Sequence, residues 1–355
     1  MRRNTCSEIN ARVFLAVRGL TTNRVLQNGP QPNKKKELMG PIKKIDPVLA
    51  WGWSNLSSIG AMLLPILFFV AAVSLTAQNT LLTGIVDIHA HSDPDSLPRS
   101  IDALTLTRLM ALKGFGGVVL KNHYESTAGL AWLAGQQAPG LNIFGGIALN
   151  RTVGGINSAA VERMTMVKGG RGKVVWMPTF DAENQVKYAK ELRPYVSISK
   201  DGKLLNDVLV VLDLIAKNDF VLATGHSSPA ETKLLLTAAV QRGVKRMVVT
   251  HPVIAPVLMS VDDMKWCAAR GAYLEFVSNA IVGTQTNMTP KQFVEAIHAV
   301  GTQHVILSSD LGQAANPIHT EGWLELFRLL EKEGLTVPQI EAMAKKNPAT
   351  LLGIN

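Results

Sequence analysis

The chain has 355 residues and carries 36 Lys and Arg against 27 Asp and Glu, a formal net charge of +9. Residues 1–77 hold ten of those basic residues against three acids (Glu8, Glu37, Asp46), so +7 of the +9 lies in this leader and the rest of the chain is nearly neutral. That removes a basic stripe for nucleic acid from the body, and a count of two cysteines, Cys6 and Cys267, excludes a disulfide framework.

Within the leader, Ala61 to Val73 (AMLLPILFFVAAV) is an apolar run of thirteen, preceded by basic residues and followed by small ones through Ala77. This is the layout of a secretory signal peptide, and the run is short for a membrane span. The upstream stretch is long for an ordinary signal, which makes Met39 or Met62 an alternative start. Ala72-Val73-Ser74 offers small residues at both cleavage positions, and Leu75-Thr76-Ala77 is a weaker match. The expectation is export to the periplasm or the exterior. The alternative is an uncleaved anchor, in which case this segment would be the chain's one contact with a membrane. Asn28 to Lys36 has the composition of a disordered piece.

The remainder, residues 78–355, has the length of one closed α/β barrel. Short apolar runs at 84–90, 117–121, 142–149, 173–177, 220–224, 246–250, 272–276 and 304–308 read as strands. Between them lie amphipathic stretches at 104–113, 159–167, 205–217, 231–242, 261–270, 290–299 and 323–333. Strand and helix in alternation imply parallel strands with crossover helices, and eight units close a (β/α)8 TIM-type barrel. Ser228-Pro229-Ala230-Glu231 reads as a capping box that starts the helix after the fifth strand.

In the first strand, Val86-Asp87-Ile88-His89-Ala90-His91, an extended chain puts Asp87, His89 and His91 on one face and Val86, Ile88 and Ala90 on the other. His226 follows the fifth run, His251 the sixth and Asp310 the eighth, all at the ends where such barrels gather their active sites. Four imidazoles and a carboxylate suit zinc or another borderline divalent ion. Each alone has a bland reading as a hydrogen-bonded loop residue; their joint placement at the correct strand ends favours a metal.

The segments DIHAHSDPD, LKNHYE, FGGIALNR, VVWMPT, TGHSS, VVTHP and SSDLGQ, in that order across nearly the whole body, resemble an uncharacterised amidohydrolase-like branch of the amidohydrolase-type metal-dependent hydrolases. The resemblance implies that His89 and His91 bind the metal, that His226 and His251 complete its site or face the substrate, and that Asp310 ligates and shuttles a proton. One departure stands out. That superfamily commonly carries a carboxylated Lys or a Glu at the end of the fourth strand, and here the strand reads Val174-Val175-Trp176-Met177-Pro178-Thr179. Asp181, just beyond, could substitute, while Lys121 and His123 after the second strand offer further ligands or substrate contacts, against a structural role for either.

Without a bridging ligand the expectation is mononuclear, one Zn2+ per chain, with metal-activated water attacking a small amide, lactone or ester. His226, His251 or Lys121 would steady the oxyanion. Two alternatives stay open: a phosphoesterase on an HxH barrel, and a barrel that keeps the metal but binds a ligand without turnover. The expected partner is a small-molecule substrate, with homo-oligomerisation left open. Asn150 and Arg151 are weaker candidates for contact with an anionic group. Glu275 on the seventh strand points either inward, as partner of a ligand histidine, or outward into a salt bridge. His298 and His304 read as structural, and only His319 lies near the mouth. Gly145-Gly146 and Gly154-Gly155 read as tight-turn glycines.

Overall fold

The structure, a computed structural model, describes residues 81–284, 286 and 288–354. The leader, its apolar segment and the expected cleavage site lie outside the described residues. Among the described residues no helix is long and apolar enough to cross a membrane.

Eight strands pair in parallel and in chain order: β1 (Val86–His91), β2 (Gly117–Lys121), β3 (Asn142–Ala148), β4 (Gly172–Trp176), β5 (Val221–Ala223), β6 (Arg246–Val249), β7 (Ala272–Val277) and β8 (Val305–Ser308). The ring closes just beyond β8, where the Asp310 N–H donates to His89 O at 2.8 Å and the His91 N–H to Leu311 O at 2.9 Å. The fold is therefore the expected (β/α)8 barrel. Its outer layer is α1 (Ala103–Leu112), α2 (Ala128–Gly135), α3 (Ser158–Thr165), α4 (Glu183–Tyr188), α5 (Asn206–Lys217), α6 (Pro229–Gln241), α7 (Val261–Ala268), α8 (Pro290–Val300) and α9 (His319–Lys332). A short antiparallel ribbon, Ser199–Lys200 with Lys203–Leu204, separates α4 from α5.

The strands are buried on both faces, as parallel strands under helices must be. Val86, Ile88, Val119, Trp176, Val248 and Ile306 belong to the inner cluster, whose floor is plugged by Leu351 and Leu352 of α11 (Asn347–Leu352). That helix follows α10 (Val337–Glu341) and one turn of π-helix, Ala342–Lys346. The intervening residues Val118, Leu120, Val175, Leu222, Val249 and Leu307 pack outward under the helices. The Ser228–Glu231 capping box of α6 is present in both directions, an arrangement that stabilises a helix start by about 1 kcal/mol.

Two expectations are corrected. Asp87 does not share a face with His89 and His91. Strand β1 pairs Val86 and Asp87 with Gly117 and Val118, then Ala90 and His91 with Leu120 and Lys121, so one extra residue is accommodated between Asp87 and Ala90. This bulge inverts the alternation: Val86 and Ile88 point into the barrel below it and both histidines point inward above it, while Asp87 turns outward to Trp323 of α9. Gly145 and Gly146, in turn, lie inside β3 and not in a turn. A Cβ on Gly146 would come within 2.2 Å of Val174 O and 2.5 Å of the Trp176 ring, so the missing side chain makes room for that indole. Gly154 and Gly155, with φ of 90° and 72°, do form the expected tight turn.

Candidate metal centre

Three side chains from two neighbouring strand ends converge at the upper rim of the barrel. His89 and His91 come from β1 above its bulge, and Asp310 is carried to them because its own main-chain N–H is part of the β1 to β8 closure. Asp310 Oδ1 lies 3.0 Å from His89 Nε2 and 3.2 Å from His91 Nε2. One ligand atom from each of the three residues falls within 4.8 Å of the others, and all three residues are buried. Three electron-pair donors held this close and out of water need a proton or a cation among them. Two imidazole nitrogens and one carboxylate oxygen are a donor set that fits a borderline divalent ion. His91 Nδ1 is buried with no partner, so no hydrogen bond within the protein orients its ring from behind.

The other candidate residues fall into two groups. Lys121 is 2 % exposed and its Nζ sits 2.8 Å from His89 Nε2, so the amine faces the centre directly. His251 stacks on His89 at a ring separation of 6.1 Å, and His226 meets His251 edge-on at 4.9 Å. His123 stacks on His91 at 4.8 Å and on Phe180 at 3.9 Å, with its Nδ1 against Thr179 Oγ1. These residues flank the tight group of three. Asp181 does not reach it: one of its oxygens accepts from the Arg193 guanidinium and the other from the Arg151 main-chain N–H. The Arg151 side chain is exposed. Asn150 is fully buried, and its amide joins the His123 carbonyl, Thr179 and the Asp181 N–H, so it braces the mouth from within. His319 is fully buried at the start of α9.

Residues that fix the ligands in place were harder to foresee. Gln185 Oε1 accepts from His226 Nδ1 at 2.8 Å, which leaves His226 Nε2 as a lone pair. Glu275 points inward, to His89 Nδ1 at 3.1 Å. Two of the strand-end residues themselves occupy left-handed backbone, His251 at φ 25° and Asp310 at φ 49°. Such conformations cost on the order of 1–3 kcal/mol and persist only where surrounding contacts enforce them.

Burial opposes a charge on His89, yet the carboxylates of Asp310 and Glu275 outweigh both it and Lys121, raising His89 to about 9. Burial likewise opposes ionisation of Asp310, but His89 and His91 hold its carboxyl well below the usual range. Burial pushes Lys121 down to about 8 and His251 down to about 4, and drives His91, His123 and His226 well below the ordinary imidazole value. At neutral pH the metal-free mouth thus presents the ionised carboxylate of Asp310, a cationic amine, a cationic His89 and several uncharged imidazoles.

Gly312 shows how closely this rim is packed. At φ 122°, a Cβ there would fall 2.1 Å from His91 O and 2.8 Å from His91 Cβ. Gly312→Ala is expected to lower stability by about 1–3 kcal/mol from the backbone alone and to displace His91. Thermal unfolding together with a zinc titration checks this, and a variant with both properties unchanged would refute it.

Residues 84–275 match the family of unknown function DUF6282, over half of the chain. The chain belongs to that family. No curated protein matches the chain. Among solved structures, this DUF6282 member is similar to an amidohydrolase from Pseudomonas aeruginosa at 12% identity and a TM-score of 0.53, covering 78% of this chain and 99% of that one. It is similar to a mutant organophosphorus hydrolase from Deinococcus radiodurans at 14% identity and 0.51, covering 77% and 94%. A third is an amidohydrolase from Burkholderia multivorans with bound zinc, at 12% and 0.50, covering 76% and 99%. At these identities the likeness is one of fold, and at that level it agrees with the resemblance carried by the motifs.

Proposed function

We propose that this chain is a metal-dependent hydrolase that holds one divalent ion, zinc, among His89, His91 and Asp310 and acts on a small amide, lactone or ester. The observation that carries the reading is the meeting of one ring nitrogen from each of two histidines and a carboxylate oxygen within 4.8 Å of one another at the rim where barrel enzymes place their chemistry. The single carboxylate in that group, with Asp181 committed elsewhere, supports one ion over a cluster. A bound divalent ion would supply a Lewis acid that lowers the pKa of its water to about 7. Asp310, ionised and 3.0 Å from His89 Nε2, accepts the proton of the attacking water and passes it to the leaving group. His226 offers a lone pair at Nε2, which suits a ligand or a base and rules out the oxyanion donor role in that tautomer. Lys121, still protonated at pH 7, and His251 are the better donors for that task.

Metal content per purified chain, followed by a screen of esters, lactones, amides and phosphoesters with zinc restored, tests the reading. One ion and carbonyl hydrolysis support it. Two or three ions with phosphoester cleavage favour the phosphoesterase, and a chain without turnover on any class is a binding barrel.

The reading also sets a pH dependence. His89 must give up its proton before Nε2 can serve as a ligand, so zinc uptake near neutrality is expected to release about one proton per chain and to tighten as pH rises toward about 9. For the metal-free chain the signs differ between two histidines. His89 is raised above the ordinary 6.5, so its contribution to stability is full below 6.5 and is lost as pH climbs to about 9. His251 is lowered, so its contribution is full above 6.5 and is lost as pH falls to about 4. Calorimetric titration in two buffers of different ionisation enthalpy, and melting of the metal-free chain across this range, measure both. Zinc binding with no proton released would contradict the assignment of His89.

A further inference from the structure

Glu275 is 2 % exposed inside the barrel on β7, and its oxygens are shared among three other strands. Oε1 lies 3.1 Å from His89 Nδ1 on β1 and accepts from Ser308 Oγ on β8 at 2.8 Å. Oε2 accepts from the His251 main-chain N–H, just beyond β6, at 3.3 Å. Removing a carboxylate from water costs several kcal/mol unless hydrogen bonds and charge compensate it. Here the compensation comes from the candidate ligand His89 and from the backbone of a residue held at φ 25°, a conformation that needs enforcement.

We infer that Glu275 is a positioning residue that orients His89 for metal binding and braces the His251 turn beside it. The inference rests on the metal reading of this site. An ionised carboxylate can only accept, so it keeps a proton on His89 Nδ1 and directs the opposite nitrogen, Nε2, to the atom group it shares with Asp310 and His91. Rotation of the His89 ring would break the bond to Glu275 Oε1 and leave His89 Nδ1 buried without that partner, which favours the present orientation. Because the same carboxylate holds the His251 N–H, loss of its charge loosens two walls of the mouth at once. Ser308 supplies the second anchor on Oε1 and keeps the acid from swinging away from β1.

The test uses the full chain freed of metal, with zinc alone as the probe. Glu275→Gln is expected to retain its circular dichroism, to bind zinc about 10–100-fold more weakly, and to shift upfield or lose the downfield Nδ1–H proton resonance of His89, assigned by its absence in His89→Gln. Glu275→Asp keeps the charge on a shorter arm and is expected to recover part of the affinity. A residue with only a structural role would lower the melting temperature and leave zinc affinity and the resonance of the folded variant unchanged; that outcome overturns the inference. If the unsubstituted chain takes up no zinc, the metal reading fails, and the resonance in Glu275→Gln decides positioning alone: its loss upholds the role and its persistence refutes it. Should Glu275→Gln not fold, Glu275→Asp is read instead, and affinity and resonance equal to those of the unsubstituted chain refute the proposal.

Discussion

Asp310→Asn is expected, on the hydrolase reading proposed above, to yield a folded chain that still takes up zinc and turns over substrate about 10²–10⁴-fold more slowly. The fold survives because what Asp310 gives to the barrel is its main chain: the N–H to His89 O and a φ of 49°. Asn tolerates that left-handed backbone better than most residues, so the substitution isolates the side chain. An amide oxygen can still ligate, which preserves part of the affinity, but it has no charge with which to take a proton from water. In the native chain the acid is ionised, and so open to a proton, because His89 and His91, against the opposition of burial, hold its carboxyl well below the usual range. Zinc content, circular dichroism and the turnover rate of the two proteins side by side make the comparison. A rate equal to that of the unsubstituted chain would remove Asp310 from proton transfer.

The eight strands were legible because each is a compact apolar run bounded by turn residues, and eight alternations leave few topologies. Helix α2, reading AGLAWLAG, was not among the amphipathic stretches because it is apolar around most of its surface and has no polar face to give it a period. Strand ends and their histidines could be read, since position along a strand survives an error of one residue. The facing of Asp87 could not. It depends on a bulge between β1 and β2, a mismatch between two strands that neither sequence displays alone. Glu275 was undecided for a related reason. Its neighbours Leu274 and Phe276 are apolar and the strand is buried on both sides, so alternation does not say which side is the interior. The approach of Asp310 to His89 is set by the closure of β8 onto β1, across more than two hundred residues of chain, as is the Ser309 contact with Asp87 at a separation of 222.

That closure makes Asp87→Ala a strongly destabilising change. Asp87 is fully buried; Oδ1 accepts from the main-chain N–H of His89 at 3.1 Å and of Ser309 at 3.0 Å, and Oδ2 accepts from the Trp323 indole at 3.0 Å. One side chain therefore pins the bulge of β1, the end of β8 and helix α9. Truncation leaves three donors without partners in a site closed to water, at about 1–3 kcal/mol each, so a loss of at least about 3 kcal/mol is expected. For a body of this size that lowers the melting temperature by roughly 6–12 °C. Asp87→Asn should be milder, since its carbonyl can serve the two main-chain donors while its NH2 faces the indole N–H. If that donor-to-donor clash is the source of its cost, adding Trp323→Phe to Asp87→Asn will cost less than the sum of the two single changes. Urea unfolding of the four proteins in the cycle measures the coupling. Additive losses would show that the indole is not held by this acid, and an Asp87→Ala chain within about 1 kcal/mol of the original would show that water or a rearranged β1 fills its place. The same truncation frees the bulge that aims both histidines inward, so zinc affinity should fall together with stability, even though Asp87 itself faces away from the centre.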